Sequence, residues 1–330
     1  MTSSTLRTTT ITTSDGVRLV VDVEDAPGVS AGDPTVVLVH GFGHDTTIWA
    51  PQRAALLGRH RLVLPDQRGH GRSEPPPPGS ATIERLGRDL GEVLDAVVPD
   101  SPAVLVGHSM GGMAILALAR ARPGLFGAPP APGGGPRVNG VALICSAAGD
   151  ALPGRRPIAG IGPLEVVAGG AQRLSRAATR ASQALTGAAL TLAGRIPAVT
   201  ARARRAARPV ETLLTRRLSF GSPVSDDVVA MVGRVVAQTP VATVAAFYPA
   251  FAGLDLYDAV PVLRGVATLI LSAAGDRITP AWQSAEIAAR LPDARVLELP
   301  DAGHLAFLEY PELVTGLLAD LIDRAGARAS

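Results

Sequence analysis

Gly107-His108-Ser109-Met110-Gly111-Gly112 is the stretch on which the reading of this chain turns. An apolar run, Pro102 to Val106 (PAVLV), precedes it. An apolar, alanine-rich run, Met113 to Arg120 (MAILALAR), follows it. The pattern predicts a strand, a sharp turn and a helix, with a serine at the tip. So tight a turn holds the serine in a strained backbone conformation. Gly107 and Gly111, two positions to either side, leave room for the chain segments to pass. The helix that follows points its positive end at the serine oxygen, where negative charge would develop during acyl transfer. Ser109 is therefore a candidate nucleophile.

Outward from this turn, strand and helix signals alternate. Near the N-terminus, residues 8–13 and 17–23 flank Ser14-Asp15-Gly16, a hairpin signature. Thr35 to His40 (TVVLVH) is a continuous apolar run, as in a parallel strand covered on both faces. A short strand is expected from Arg61 to Leu64, and a helix from Ile83 to Val97, with apolar residues at 83, 86, 90, 93, 94 and 97. Residues 123–136 read as a Gly/Pro-rich loop and 138–145 as the next strand. The alternation resumes with a strand at 267–271, a helix at 280–291, a strand at 295–299 and a last helix from 311 to 324. The expected fold is α/β, with a doubly wound, mostly parallel sheet formed by residues 1–150 and 246–330. Residues 151–245 show no strand pattern and are expected to form an inserted, Arg-rich helical cap.

Four further pieces bear on Ser109. His40-Gly41-Phe42-Gly43 follows the strand TVVLVH, so the backbone amides of Phe42 and Met110 are candidates for an oxyanion hole. His304, in Gly303-His304 after the last strand, is the candidate general base. Asp276, in Gly275-Asp276-Arg277, would orient that histidine. The string Ser-Ala-Ala-Gly-Asp occurs at both 146–150 and 272–276, so Asp150 is an alternative acid. Asp276 is favoured because Arg-Ile-Thr-Pro and a helix start fix its loop. Asp66, Arg68 and His70, in the Gly-rich stretch after RLVLP, read as structural residues that shape the floor beneath the oxyanion turn.

Residues 35–150 and 250–325 resemble an α/β-hydrolase fold protein, most nearly the small serine esterases, lipases and haloperoxidase-like perhydrolases. The motifs are HGFG, DQRGHGRS, GHSMGG, GDRITP and GHLAFLEYP, in the family's order and spacing. The resemblance implies an active site between the sheet's carboxyl edge and a cap. Its expected chemistry is hydrolysis of a carboxylic ester through a Ser109–His304–Asp276 triad and an acyl-enzyme, with no metal or organic cofactor implied. Alternatives are a perhydrolase or acyltransferase using the same acyl-enzyme, and a non-catalytic binding protein on this scaffold. Epoxide hydrolases and haloalkane dehalogenases place Asp at the elbow, and Ser109 argues against both. The departure from the family's pattern is the Arg-rich cap.

Composition adds a charge asymmetry. The chain has 31 basic side chains, all Arg, and a net charge of +2. Residues 151–217 hold 12 Arg against Glu165 and Glu211, or +10, which leaves −8 for the remainder. A solvated helical face is the plain explanation; contact with an anionic membrane surface or acidic substrate is the functional one. Nucleic-acid binding is not expected, because 151–219 has no aromatic residue for base stacking. The partner expected is a small acyl ester, including lipid esters. Cys145 is the single cysteine and reads as a buried core residue. No apolar leader or span is seen, so cytoplasmic residence is the expectation.

Overall fold

A computed structural model describes residues 5–27, 29–30, 32–99, 101–127, 137–149 and 215–327 of the chain. One eight-stranded sheet organises it: β1 (Thr5–Thr12), β2 (Arg18–Asp25), β3 (Thr35–Val39), β4 (Leu62–Pro65), β5 (Pro102–His108), β6 (Arg137–Ile144), β7 (Ala267–Ala273) and β8 (Arg295–Leu299). The spatial order is β1-β2-β4-β3-β5-β6-β7-β8. The β1–β2 hairpin is antiparallel and adds antiparallel to β4, while every pairing from β4 to β8 is parallel. Gly16 closes the hairpin at φ 85°, and its amide donates to the Thr13 carbonyl at 2.8 Å.

The continuous apolar runs are the strands covered on both faces. The helices are α1 (Ala50–Leu56), α2 (Ile83–Val97), α3 (Met110–Ala121), α4 (Asp226–Gln238), α5 (Val241–Phe247), α6 (Ala281–Ala288), α7 (Ala306–Glu309) and α8 (Pro311–Ala327). Val37, Val39 and Leu105 face one core with α2 and α3, while Val36, Leu38, Val104 and Val106 face the other with α1 and α8. This is the two-residue alternation of a strand, with both faces used. All six apolar positions expected on α2 are buried, and Thr82 caps the helix by accepting the Arg85 amide at 3.1 Å. Each buried side chain of Leu94's size contributes roughly 1.5–3 kcal/mol. The helix expected to reach Leu291 stops at Ala288, because the amides of Arg290 and Leu291 turn back to the Ile287 and Ala288 carbonyls.

The chain runs from β3 out to β4, and then crosses to β5 on the other side of β3. The strand order therefore reverses between β3 and β5, and open α/β sheets bind ligands outside the carboxyl ends of their strands at such a point. Of the expected cap, residues 215–245 are described and contain α4 and part of α5, with no strand. Residues 150–214, including Asp150 and most of the Arg-rich segment, lie outside the described residues. Among the described residues no single helix is long and apolar enough to cross a membrane.

Candidate active site

Ser109 sits between β5 and α3 with φ 50° and ψ −117°, a conformation left-handed in φ that non-glycine residues rarely adopt. Packing forces it there. A Cβ at Gly107 would lie 2.5 Å from the Gly112 nitrogen, and one at Gly111 would run into the Val39 carbonyl oxygen. Neighbouring strands hold the strained residue in place. The Ser109 amide donates to the Ile144 carbonyl at 3.0 Å, and the Ser146 hydroxyl donates to the Ser109 carbonyl at 2.8 Å. Met110 is the first residue of α3, where helical amides have no partner within the helix.

The turn after β3 lies against this serine, since a Cβ on Gly41 would come within 3.2 Å of the Ser109 Cβ. His40 shapes that turn. One of its ring nitrogens lies 2.8 Å from the Gly41 carbonyl, and the other accepts the Gln67 amide at 3.0 Å. Asp66 supports the floor by accepting from the Thr46 amide at 3.0 Å and from Arg72 Nε at 2.7 Å. Arg68 is fully buried and paired with Asp89 and Asp15. Half-buried Phe42 packs edge-on against Phe251, with ring centroids 5.2 Å apart, and meets Phe247 at 6.5 Å. These rings form an apolar wall beside the turn.

His304 and Asp276 are brought together directly. His304 Nδ1 lies 2.8 Å from Asp276 Oδ2, and both side chains are buried. The amides of Ile278 and Thr279 donate to Asp276 Oδ1 at 2.8 and 2.9 Å. Burial works to raise the Asp276 pKa, but His304 and these amides outweigh it and hold the carboxyl below its ordinary value. Thr279 Oγ1 is a junction, 2.8 Å from Asp276 Oδ2, 3.2 Å from His304 Nδ1 and 2.7 Å from the Cys145 carbonyl. Ser109 and His304 are linked through His108, whose Nε2 lies 3.0 Å from the His304 carbonyl and whose ring centroid is 4.6 Å from that of His304. Burial, then neighbouring imidazoles, depresses the pKa of His108 well below the ordinary range and that of His44 to about 3. Burial leads in the same way at His70, also pushed down to about 3. These rings are uncharged near neutral pH.

Ser109, Met110, Phe42, Asp276 and His304 therefore all stand at one edge of the sheet. Sequence reasoning passed over Thr279 as a hydrogen-bonding group, although it had marked the Asp-Arg-Ile-Thr loop as fixed. It read Cys145 as a buried core residue and Ser146 only as part of a repeated string, and did not foresee that this strand end touches the loops of the other groups. No pattern in the sequence marks them out.

A family model described as "Alpha/beta hydrolase family" matches residues 36–317. A Caulobacter sp. (strain K31) protein named as a carbamate hydrolase, RutD, is 42% identical over 96 residues, 29% of this chain and 35% of that protein. The match thus spans about a third of that curated relative's length. Among solved structures, an esterase from Exiguobacterium antarcticum superposes with a TM-score of 0.69 at 18% identity, covering 96% of this chain and all of the other. An enol-lactonase from Burkholderia xenovorans LB400 superposes with a TM-score of 0.67 at 25% identity, again over 96% of this chain and all of the other.

Proposed function

The chain belongs to the alpha/beta-hydrolase family, and within it we propose a serine hydrolase that cleaves carboxylic esters through an acyl-enzyme. The observation that carries this reading is the buried His304–Asp276 pair beside a serine held at φ 50° on a strand-to-helix turn. In the proposed mechanism Ser109 Oγ attacks the ester carbonyl carbon as His304 Nε2 takes the hydroxyl proton. The amides of Phe42 and Met110 receive the developing oxyanion, in a setting where each such donor contributes about 3 kcal/mol. The ester C–O bond breaks, and the alcohol leaves with the proton that His304 held. Water, losing its proton to His304, then attacks the acyl carbon; the acyl–Oγ bond breaks, the carboxylic acid departs and His304 returns the proton to Ser109 Oγ. Asp276 keeps the imidazole in the tautomer with its proton on Nδ1.

The Phe42, Phe247 and Phe251 rings support an apolar acyl group, and the esterase and lactonase neighbours fit an ester or lactone carbonyl. A fluorophosphonate probe followed by peptide mass spectrometry tests the reading. Ser109 is expected to carry the phosphonyl group in the native protein, and His304→Ala to slow its labelling severely. A native protein that leaves Ser109 unmodified would sink the proposal.

A further inference from the structure

Glu309, at the end of α7, plays no part in the mechanism above, yet its carboxylate accepts four hydrogen bonds, as many partners as Asp276 has. Oε1 accepts the Gly303 amide at 2.6 Å. Oε2 accepts the amides of Gly221 and Ser222 at 3.0 and 2.5 Å and the Ser222 hydroxyl at 2.6 Å. One carboxylate thus joins two distant stretches of chain, the loop that carries His304 and the segment 219–222. The two backbones touch there. A Cβ on Gly303 would lie 2.6 Å from the Gly221 nitrogen, and one on Gly221 would lie 2.5 Å from the Ala302 carbonyl carbon. No side chain fits at either position, so the carboxylate replaces side-chain packing as the connection.

The loop is tied residue by residue. The Gly303 amide goes to Glu309, the His304 carbonyl to His108, and the Leu305 amide to the Ser219 carbonyl at 2.9 Å. Two of these three ties end on the 219–222 segment directly or through Glu309. Hydrogen bonds to an ionised acceptor are about twice as strong as neutral ones, and a carboxylate offers enough lone pairs for all four donors.

We infer that Glu309 is a positioning residue that fastens segment 219–222 to the His304 loop, so that the placement of the imidazole depends on where that segment docks. This rests on His304 acting as the general base. A glutamine at 309 can accept the Gly303 amide through its oxygen, but its NH2 group cannot accept from Gly221 and Ser222. Glu309→Gln therefore separates the two halves of the clamp.

The test measures kcat and KM for p-nitrophenyl acetate, thermal unfolding, and the His304 Nδ1–H resonance by NMR in the wild type, Glu309→Gln and Ser222→Ala. Glu309→Gln is expected to lower kcat by between about ten- and a hundredfold with KM changed less than about threefold. It should also move or broaden the His304 resonance while the protein stays folded. Ser222→Ala, which removes one of the four bonds and leaves Gly303 alone, should give the same split at a few-fold. Wild-type kcat and an unmoved resonance in Glu309→Gln would overturn the inference. So would an activity loss that follows only the fraction unfolded in both variants. Turnover surviving in His304→Ala would remove the mechanistic reading itself, whatever Glu309→Gln does.

Discussion

The ends of β5 and β6 make an instructive pair. Ser109 and Cys145 are the only non-glycine residues with positive φ among the described residues, at 50° and 45°, and they follow neighbouring parallel strands. Each conformation costs on the order of 1–2 kcal/mol. At Ser109 the strain serves one side chain, turned out of the strand at the start of a helix. At Cys145 it serves the backbone and a thiol that is fully buried. The Cys145 carbonyl accepts from Thr279, its sulfur lies 3.9 Å from the Gly303 carbonyl, and the next residue holds the Ser109 carbonyl. One bend presents the proposed nucleophile, and the other gathers the loops around it. Equal strain at two sites therefore does not mean equal roles.

The widest gap between the two sites should appear in turnover. Ser109→Ala is expected to cut ester hydrolysis by at least about 10⁴-fold while leaving the circular dichroism spectrum intact. Cys145→Ala, measured beside it with the same short p-nitrophenyl ester, should keep most of its activity. Full activity in Ser109→Ala would erase the distinction between the bends.

Next in size is the acid that the Cys145 bend helps to hold. Asp276→Asn is expected to lower kcat by roughly 10³–10⁴-fold, as loss of the tautomer-fixing carboxylate does elsewhere. It also has a signature in stability. The folded-state pKa of Asp276 lies below the ordinary 3.8, so its ionised form favours the folded chain. That contribution is fully present above pH 3.8 and is lost as the pH falls through the lower folded value. Urea midpoints of wild type and Asp276→Asn should thus differ most near pH 6 and converge toward pH 2. A gap that stays constant over that range contradicts the assignment.

The smallest effect concerns strain at Cys145 alone. Val fills more of the core than Ala but is β-branched, and branched side chains are outliers at positive φ. Cys145→Val is expected to be less stable than Cys145→Ala by about 2 kcal/mol, read as a lower melting temperature. The reverse order would show that the bend relaxes freely.

The contrast between the two bends also explains what the sequence could disclose. Ser109 was legible because its turn needs glycine at 107 and 111, and those glycines stand in fixed places between an apolar strand and an apolar helix. His304 and Asp276 were legible because each follows a strand of the same sheet. The parallel sheet itself was readable in the unbroken apolar runs at β3, β5, β6 and β7, which both faces bury. Cys145 has Ile144 and Ser146 as neighbours, and no glycine announces its bend. Reading it as buried was correct but missed the conformation. Glu309 was equally silent, because its four donors are three backbone amides and one hydroxyl, and Gly221 and Ser222 lie 88 and 87 residues away in the chain. Interactions with backbone leave no side-chain pattern to find.

Hydrogen exchange gives the sheet ladder a further meaning. The Ser109 amide is bonded to Ile144, and the Cys145 amide donates to the Leu271 carbonyl at 2.8 Å. The parallel ladder thus runs one residue beyond β5 and β6, into the site itself. Active-site segments usually belong to the parts of a protein that open first. From these bonds the amide protons of Ser109 and Cys145 are expected to exchange only when the central sheet comes apart, and those of Gly303 and Leu305 to exchange sooner, once the lighter ties to Glu309 and Ser219 open. Ser109 and His304 would then report on two different unfolding events, one global and one local.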